Sequence, residues 1–186
     1  NWQPRADTTV EAGLRADWWQ LTRGQRTESL LASGATVRDE RQPDRDSWEP
    51  SASLEIRHGL ADDLTASASA GSSFRLPTLN ELHRPFRVRN DIVEANPGLD
   101  PERFFSISGG LDWEPVDTVT VNATVFQHWI KDAIANVPVT DPTQIKDIFG
   151  TIPAGGTGSQ RQNVDQAQVT GIEGKIEWLP ADSVTL

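Results

Sequence analysis

The chain has 186 residues, and its 27 acidic against 17 basic side chains give a net charge of −10 and a pI near 4.7. That balance opposes a phosphate backbone, so no nucleic acid partner is expected. Cys is absent, which removes disulfides, thiolate metal sites and Cys nucleophiles together, and no cofactor is expected. No stretch approaches the roughly 20 consecutive apolar residues of a spanning helix, and the mean hydropathy is −0.49. A β-barrel is untouched by that exclusion, because its strands need only about 9–11 residues and every second one faces lipid.

Period-two alternation, the mark of strands whose two faces meet different surroundings, recurs along the chain. Val10, Ala12, Leu14, Ala16 and Trp18 oppose Glu11, Arg15 and Asp17. Leu64, Ala66, Ala68 and Ala70 oppose Thr65, Ser67 and Ser69. Phe105, Ile107 and Leu111 then oppose Ser106, Ser108 and Asp112, and Val119, Val121, Ala123 and Val125 oppose Thr118, Thr120, Asn122 and Thr124. Ile172, Gly174, Ile176 and Trp178 close the series against Glu173, Lys175 and Glu177. Strands are expected over 8–19, 48–57, 64–74, 103–113, 118–130 and 165–178, with a seventh starting at Val184.

Short and long connections alternate between these strands. Trp113-Glu114-Pro115-Val116-Asp117-Thr118 and Trp178-Leu179-Pro180-Ala181-Asp182-Ser183 share one turn pattern. Trp2 to Thr8 carries it with one insertion, and Arg57 to Leu64 sits where a fourth short turn is due. Pro and Asp supply turn geometry, and a Trp at the strand end suits an interfacial aromatic girdle. The long connections, Gln20–Trp48, Arg75–Arg103 and Lys131–Gln162, are rich in Pro, Gly, Asp and Asn and fall at the opposite end. A soluble antiparallel sandwich or propeller also alternates. Strand lengths near ten and one-sided loop lengths favour an antiparallel up-and-down transmembrane β-barrel with periplasmic turns and extracellular loops. The chain opens on Asn1-Trp2-Gln3-Pro4 and stops as a strand begins, so an internal piece of such a barrel, six to seven strands wide, is expected across 1–186.

One pair of motifs goes further. Phe74-Arg75-Leu76-Pro77-Thr78-Leu79-Asn80-Glu81-Leu82 is followed by Asn96-Pro97-Gly98-Leu99-Asp100-Pro101-Glu102-Arg103, and later by Asn163 through Gly171-Ile172-Glu173. Here the sequence resembles TonB-dependent outer-membrane receptors, with matches spanning roughly residues 48 to 178. The resemblance implies a barrel of about 22 strands with a plugged lumen, sited in the outer membrane of a Gram-negative bacterium. It implies import of a scarce nutrient, with outer-membrane lipid around the wall and the TonB complex as partner through a plug that is expected to lie outside this chain. Pro77, Pro97 and Pro101 fix the backbone, and Asn80, Glu81, Asn96 and Glu102 can satisfy loop backbone groups. Phe74, Arg75, Gly171 and Glu173 complete the motif set, for which bracing of a long loop is the main expectation and direct ligand contact the alternative.

Between the two elements, His83-Arg84-Pro85-Phe86-Arg87-Val88-Arg89 forms a basic patch in an acidic chain. Cations at an extracellular mouth attract anionic ferric chelates, and the planar Arg fork suits their oxygens; a siderophore is therefore the expected small-molecule ligand. Alternatively Arg84, Arg87 and Arg89 pair with Glu81, Asp91 and Glu94 nearby. His83 opens a heme reading, since receptors of the heme branch place a His between such motifs and imidazole ligates iron.

Catalytic signals are thin. His58 and His128 lack a His-x-x-x-His spacing, so no metal site is expected. Gly155-Gly156-Thr157-Gly158-Ser159 lacks the Lys of a phosphate loop, and no Ser sits in a nucleophile elbow. The chain reads as a receptor and transporter rather than an enzyme.

Overall fold

The computed structural model describes residues 2–5 and 7–179. The turn expected at Pro180 and the strand expected from Val184 lie outside the described residues. In chain order the elements are β1 (Trp2–Arg5), β2 (Thr8–Leu21), β3 (Gln25–Ser29), β4 (Thr36–Arg41), β5 (Arg45–Ala61), β6 (Leu64–Arg75), α1 (Leu79–His83), β7 (Phe86–Val88), β8 (Asp91–Glu94), β9 (Glu102–Val116), β10 (Val119–Pro138), α2 (Pro142–Phe149) and β11 (Gly158–Trp178). The main sheet runs β1-β2-β5-β6-β9-β10-β11-β8-β7, and β3-β4 stand apart as a hairpin. Its first seven strands are antiparallel neighbours, while β8 joins β11 in parallel through Gly158–Gln160. This is the expected all-β, up-and-down barrel wall, open within the described residues.

The cross-strand register explains the alternation. Val10↔Ile56, Ile56↔Ala68, Ala68↔Gly109, Gly109↔Val125 and Val125↔Ile172 link five neighbouring strand pairs into one apolar row. Because side chains alternate with period two, such a row puts every apolar set on a single face. That face has no covering layer: Leu14 is 91% and Ile172 79% exposed. Aromatic side chains bound it at both ends. Trp113 and Trp178 lie near the short turns, and Trp18↔Trp48 and Phe105↔Trp129 pair at the long-loop end. Eight positions separate Phe105 from Trp113, about 26 Å along the strand. A tilt of 35–45° leaves about 20 Å, comparable to the roughly 25 Å apolar band of outer-membrane barrels. The opposite face is polar, with Ser69 and Ser108 hydroxyls 2.7 Å apart and Arg57, Asp112 and Asn122 joined by two 2.7 Å hydrogen bonds.

All six expected strands are present, but several run longer than expected. β5 starts at Arg45, β10 continues to Pro138, and β11 begins at Gly158, so the third long connection shrinks to 139–157. The physical reason lies in the surroundings. Beyond the apolar band both faces of a strand meet polar groups, so the alternation fades while the backbone ladder goes on, here as far as Pro138↔Ser159. The turn expected over Arg57–Leu64 reduces to Asp62-Asp63, and Pro115 belongs to β9, leaving Asp117-Thr118 as the turn. Three elements inside the second long connection, α1, β7 and β8, replace the plain loop expected there.

Candidate functional site

The long-loop end is the packed part of the molecule. Leu82, Ile92, Ala95, Leu99 and Val139, the buried apolar core among the described residues, all lie there rather than in the wall. Leu82 and Leu99 are each 1% exposed. α1 starts at Thr78 with a reciprocal capping box: Glu81 N–H donates to Thr78 Oγ1 at 3.2 Å, and Thr78 N–H donates to Glu81 Oε2 at 2.7 Å. Such a box satisfies two helix-end donors at once.

Charged side chains lock this core to the wall. Arg75 at the end of β6 donates to Glu81 at 2.9 and 3.2 Å and to Glu102 at 2.5 Å. Glu102 in turn accepts from the Ile134 N–H at 2.6 Å, so one carboxylate ties β9 to β6 and β10. Burial alone would push the Glu81 carboxyl up, but hydrogen bonds from Arg75 and Thr78 outweigh it and hold the pKa down at about 2. Asn96 accepts from Gly98 N–H and donates to the Arg161 carbonyl, both at 2.9 Å. Its own N–H donates to the Glu81 carbonyl at 3.0 Å. Pro101 is buried and Pro77 and Pro97 are half-buried, whereas Asn80 is exposed and offers its carbonyl to Arg161 at 2.8 Å. Phe74 is half-buried opposite Arg103.

The later motif residues lie apart, on the wall. The Phe126 ring covers Gly171, whose missing Cβ would stand 2.4 Å from Phe126 Cζ. Any larger residue would displace the ring. Glu173 pairs with Thr124 on the polar face.

Sequence reasoning missed the contacts that join the three long connections. Arg26 of β3 forks onto Glu94 of β8 at 2.5 and 3.4 Å, and Arg38 of β4 donates to the Ile148 carbonyl in α2 at 3.0 Å. Arg45 donates to the Pro97 and Leu99 carbonyls and to Asp100. Burial works against the Arg26 charge, yet Glu94 and Glu28 hold its pKa above the ordinary value. Arg26 and Glu94 stand 68 positions apart, and no local sequence signal marks such a pair.

The basic segment behaves differently. Arg84, Arg87 and Arg89 are exposed, and no carboxylate among the described residues lies within ion-pair distance of any of them. The local pairing expected for them does not form, because its acids are already engaged. Glu81 holds Arg75, Glu94 holds Arg26, and Asp91 accepts from the Thr157 N–H and hydroxyl at 2.8 Å. Arg84 accepts from Arg161 through its backbone carbonyl at 2.9 Å, and the residue is exposed. Phe86 and Val88 are also exposed, at 57% and 50%. His83 is half-buried, its Cε1 3.3 Å from where a Cβ on Gly24 would sit. No group of three or more metal-ligating side chains occurs among the described residues.

An antiparallel wall with one bare apolar face, two aromatic girdles and a loop layer on one end defines an outer-membrane β-barrel. The model of the TonB dependent receptor-like, beta-barrel family matches residues 1–186, and the chain belongs to that family. Members reside in the outer membrane of Gram-negative bacteria. The chain is 28% identical over 162 residues to the vitamin B12 transporter BtuB of Photobacterium profundum, covering 83% of this chain and 20% of that protein. Among solved structures it resembles the copper transporter OprC, with TM-score 0.70, 22% identity and coverage of 97% of this chain and 26% of that one. It also resembles the Serratia marcescens hemophore receptor HasR, with TM-score 0.69, 20% identity and coverage of 91% and 29%. The siderophore receptor PirA of Pseudomonas aeruginosa follows with TM-score 0.62, 20% identity and coverage of 92% and 28%. The chain thus spans between a fifth and a third of the length of these relatives.

Proposed function

We propose that this chain forms part of the wall and extracellular mouth of an importer that takes up a scarce nutrient, with energy delivered by the TonB complex through a plug domain. Family membership supports the importer reading. The relatives are described as carriers or receptors for vitamin B12, copper, hemophore and siderophore, so they favour no single nutrient. The substrate class in this proposal is an anionic ferric chelate. Its support is a single contrast: Arg84, Arg87 and Arg89 are exposed without acidic partners among the described residues, while Arg26, Arg45 and Arg75 in the same layer are all consumed by ion pairs. Unpaired cations at a water-filled mouth raise the local concentration of an anionic ligand, and guanidinium forks bind carboxylate or catecholate oxygens in bidentate geometry.

In this reading Phe74, Arg75, Pro77, Asn80, Glu81, Asn96, Pro97, Pro101 and Glu102 brace the second loop so that the basic segment is held at the mouth. Gly171 and Glu173 act at a distance, in the wall. The test uses the full-length receptor with Arg84, Arg87 and Arg89 all replaced by Gln. Uptake of an anionic ferric chelate should fall and its salt dependence should flatten, since screening acts on exposed charges over about 8–10 Å. Barrel assembly should be unchanged. Uptake at wild-type rates and salt dependence sinks the chelate reading. Heme-dependent growth abolished by His83→Ala alone, with chelate uptake intact, would transfer the assignment to heme.

A further inference from the structure

The wall is not continuous. The ladder between β5 and β6 ends at Ala52↔Ser72. Above it β5 continues to Arg45 along β2, and β6 continues to Arg75 along β9. Pro50 lies just past the last pair and has no N–H to offer a ladder. At the fork itself the Ala52 N–H donates to Ser72 Oγ at 3.1 Å. The strands part around a groove of about 540 Å³.

The groove opens mainly on the apolar face. Leu14, Ala16, Pro50, Ala52, Ser72 and Phe105 line it, and all six hold that face by register. It sits at the level of the Trp18↔Trp48 and Phe105↔Trp129 pairs, the girdle at the long-loop end. Its upper end is polar. Arg103 reaches across β6 to Glu49, donating at 3.1 and 3.0 Å, and also to Asp132 at 3.3 Å. Those two carboxylates consume its charge.

Lys131 is left over. It stands directly opposite Arg103 on β10, but the carboxylates that meet the Arg103 charge do not reach it. Its Nζ lies 5.5 Å from the centre of the Phe105 ring, which lines the groove, and no carboxylate among the described residues is within ion-pair distance. An apolar trough at girdle height with an unpaired cation on its outer rim has the polarity of one amphiphile, an acyl chain below and an anionic head above.

We propose that this groove binds one anionic lipid of the outer leaflet, its acyl chain lying along Leu14, Ala52 and Phe105 and its phosphate on the Lys131 ammonium. The site involves neither the basic segment nor nutrient uptake, and it stands or falls independently of the importer reading. Cations at a membrane surface favour anionic heads by roughly fivefold per side chain, and that sets the expected preference.

The experiment places the full-length receptor in nanodiscs holding equal amounts of phosphatidylglycerol and phosphatidylcholine with identical chains, and counts retained lipids by native mass spectrometry. Wild type should keep phosphatidylglycerol about fivefold over phosphatidylcholine. Lys131→Gln should equalise the two, and Ala52→Trp, which fills the trough, should remove the tightly held lipid of either kind. If Ala52→Trp does not assemble, Lys131→Gln decides alone, because a rim side chain can be changed without disturbing the ladder. Equal retention by wild type, or a preference that survives Lys131→Gln, overturns the proposal.

Discussion

The two ends of this molecule are stabilised by different media. In the loop layer apolar side chains meet one another: Leu82 and Leu99 are 1% exposed, and Arg45 and Arg75 beside them are engaged by carboxylates and backbone carbonyls. In the wall no second layer covers the apolar face, and its side chains stay largely open, with Ile172 at 79% and Ile176 at 74% exposure. The layer is therefore built like a small soluble domain, and the wall like a surface suited to lipid. Hydrogen bonding reverses the order. Wall backbone is satisfied mainly by long ladders such as Val119–Pro138 against Ser159–Trp178, as a lipid environment demands, whereas the loops depend on side chains to cap and bridge them.

The largest consequence concerns the wall outside its medium. The isolated chain in detergent-free buffer should aggregate, since its apolar face and unpaired outer edges invite association. Sedimentation of a stable monomer with a sharp, reversible thermal transition would break the comparison at its root. Next comes the direction of the two ends. Single Cys residues at Leu31 and Arg87, both exposed in long connections, should react with an impermeant maleimide on intact cells carrying the full-length receptor, and a Cys at Asp117 in a short turn should not. Labelling at Asp117 alone would invert the topology.

How legible each end was in the sequence follows from the same contrast. Alternation in Val119–Val125 and Ile172–Trp178 is imposed by lipid on one side and water on the other, so it is written locally and predicts strands that exist. Lys131–Pro138 carries no such contrast, and its membership of β10 was invisible. The loop layer was harder to read for another reason. Arg89 and Arg87 are the arginines nearest to Glu94 in the sequence, yet Glu94 binds Arg26, 68 positions away. Ion pairs carry no period, and sequence proximity misassigned this one. Arg75, Glu81 and Glu102 could be singled out only as motif residues; that one guanidinium joins both carboxylates required the structure.

A paired substitution sharpens the contrast in medium. Leu99→Ala should cost about 2–5 kcal/mol locally, as for other fully buried leucines, and appear as faster hydrogen exchange across 76–101 in the folded receptor. Ile172→Ala removes a comparable side chain from the lipid face, where acyl chains can fill the gap. Its cost should be under about 1 kcal/mol in the full-length receptor. Equal effects on the two would mean that the wall packs against protein in the complete barrel.

The smallest expected effect is electrostatic and lies where the layer meets the wall. Glu81 has a folded pKa of about 2, below its ordinary value of 4.5. A carboxylate depressed on folding contributes stability that is complete above the unfolded pKa and disappears as pH falls through the folded one. The brace should therefore be fully effective above pH 4.5, weaken between 4.5 and 2, and be absent below about 2. Glu81 is partly solvated, so the contribution is on the order of 1 kcal/mol after screening. Glu81→Gln should bring the loosening forward to neutral pH, because a neutral amide loses the charge-assisted bonds to Arg75 and the Thr78 cap while keeping similar size. Hydrogen exchange of residues 78–84 followed from about pH 7 to about pH 3, scaled for intrinsic exchange, measures this across the upper part of that window. Wild type and Glu81→Gln should differ most near neutral pH and converge as the acid limit nears. Identical protection at neutral pH would show that the core around Leu82 holds α1 without the ion pair.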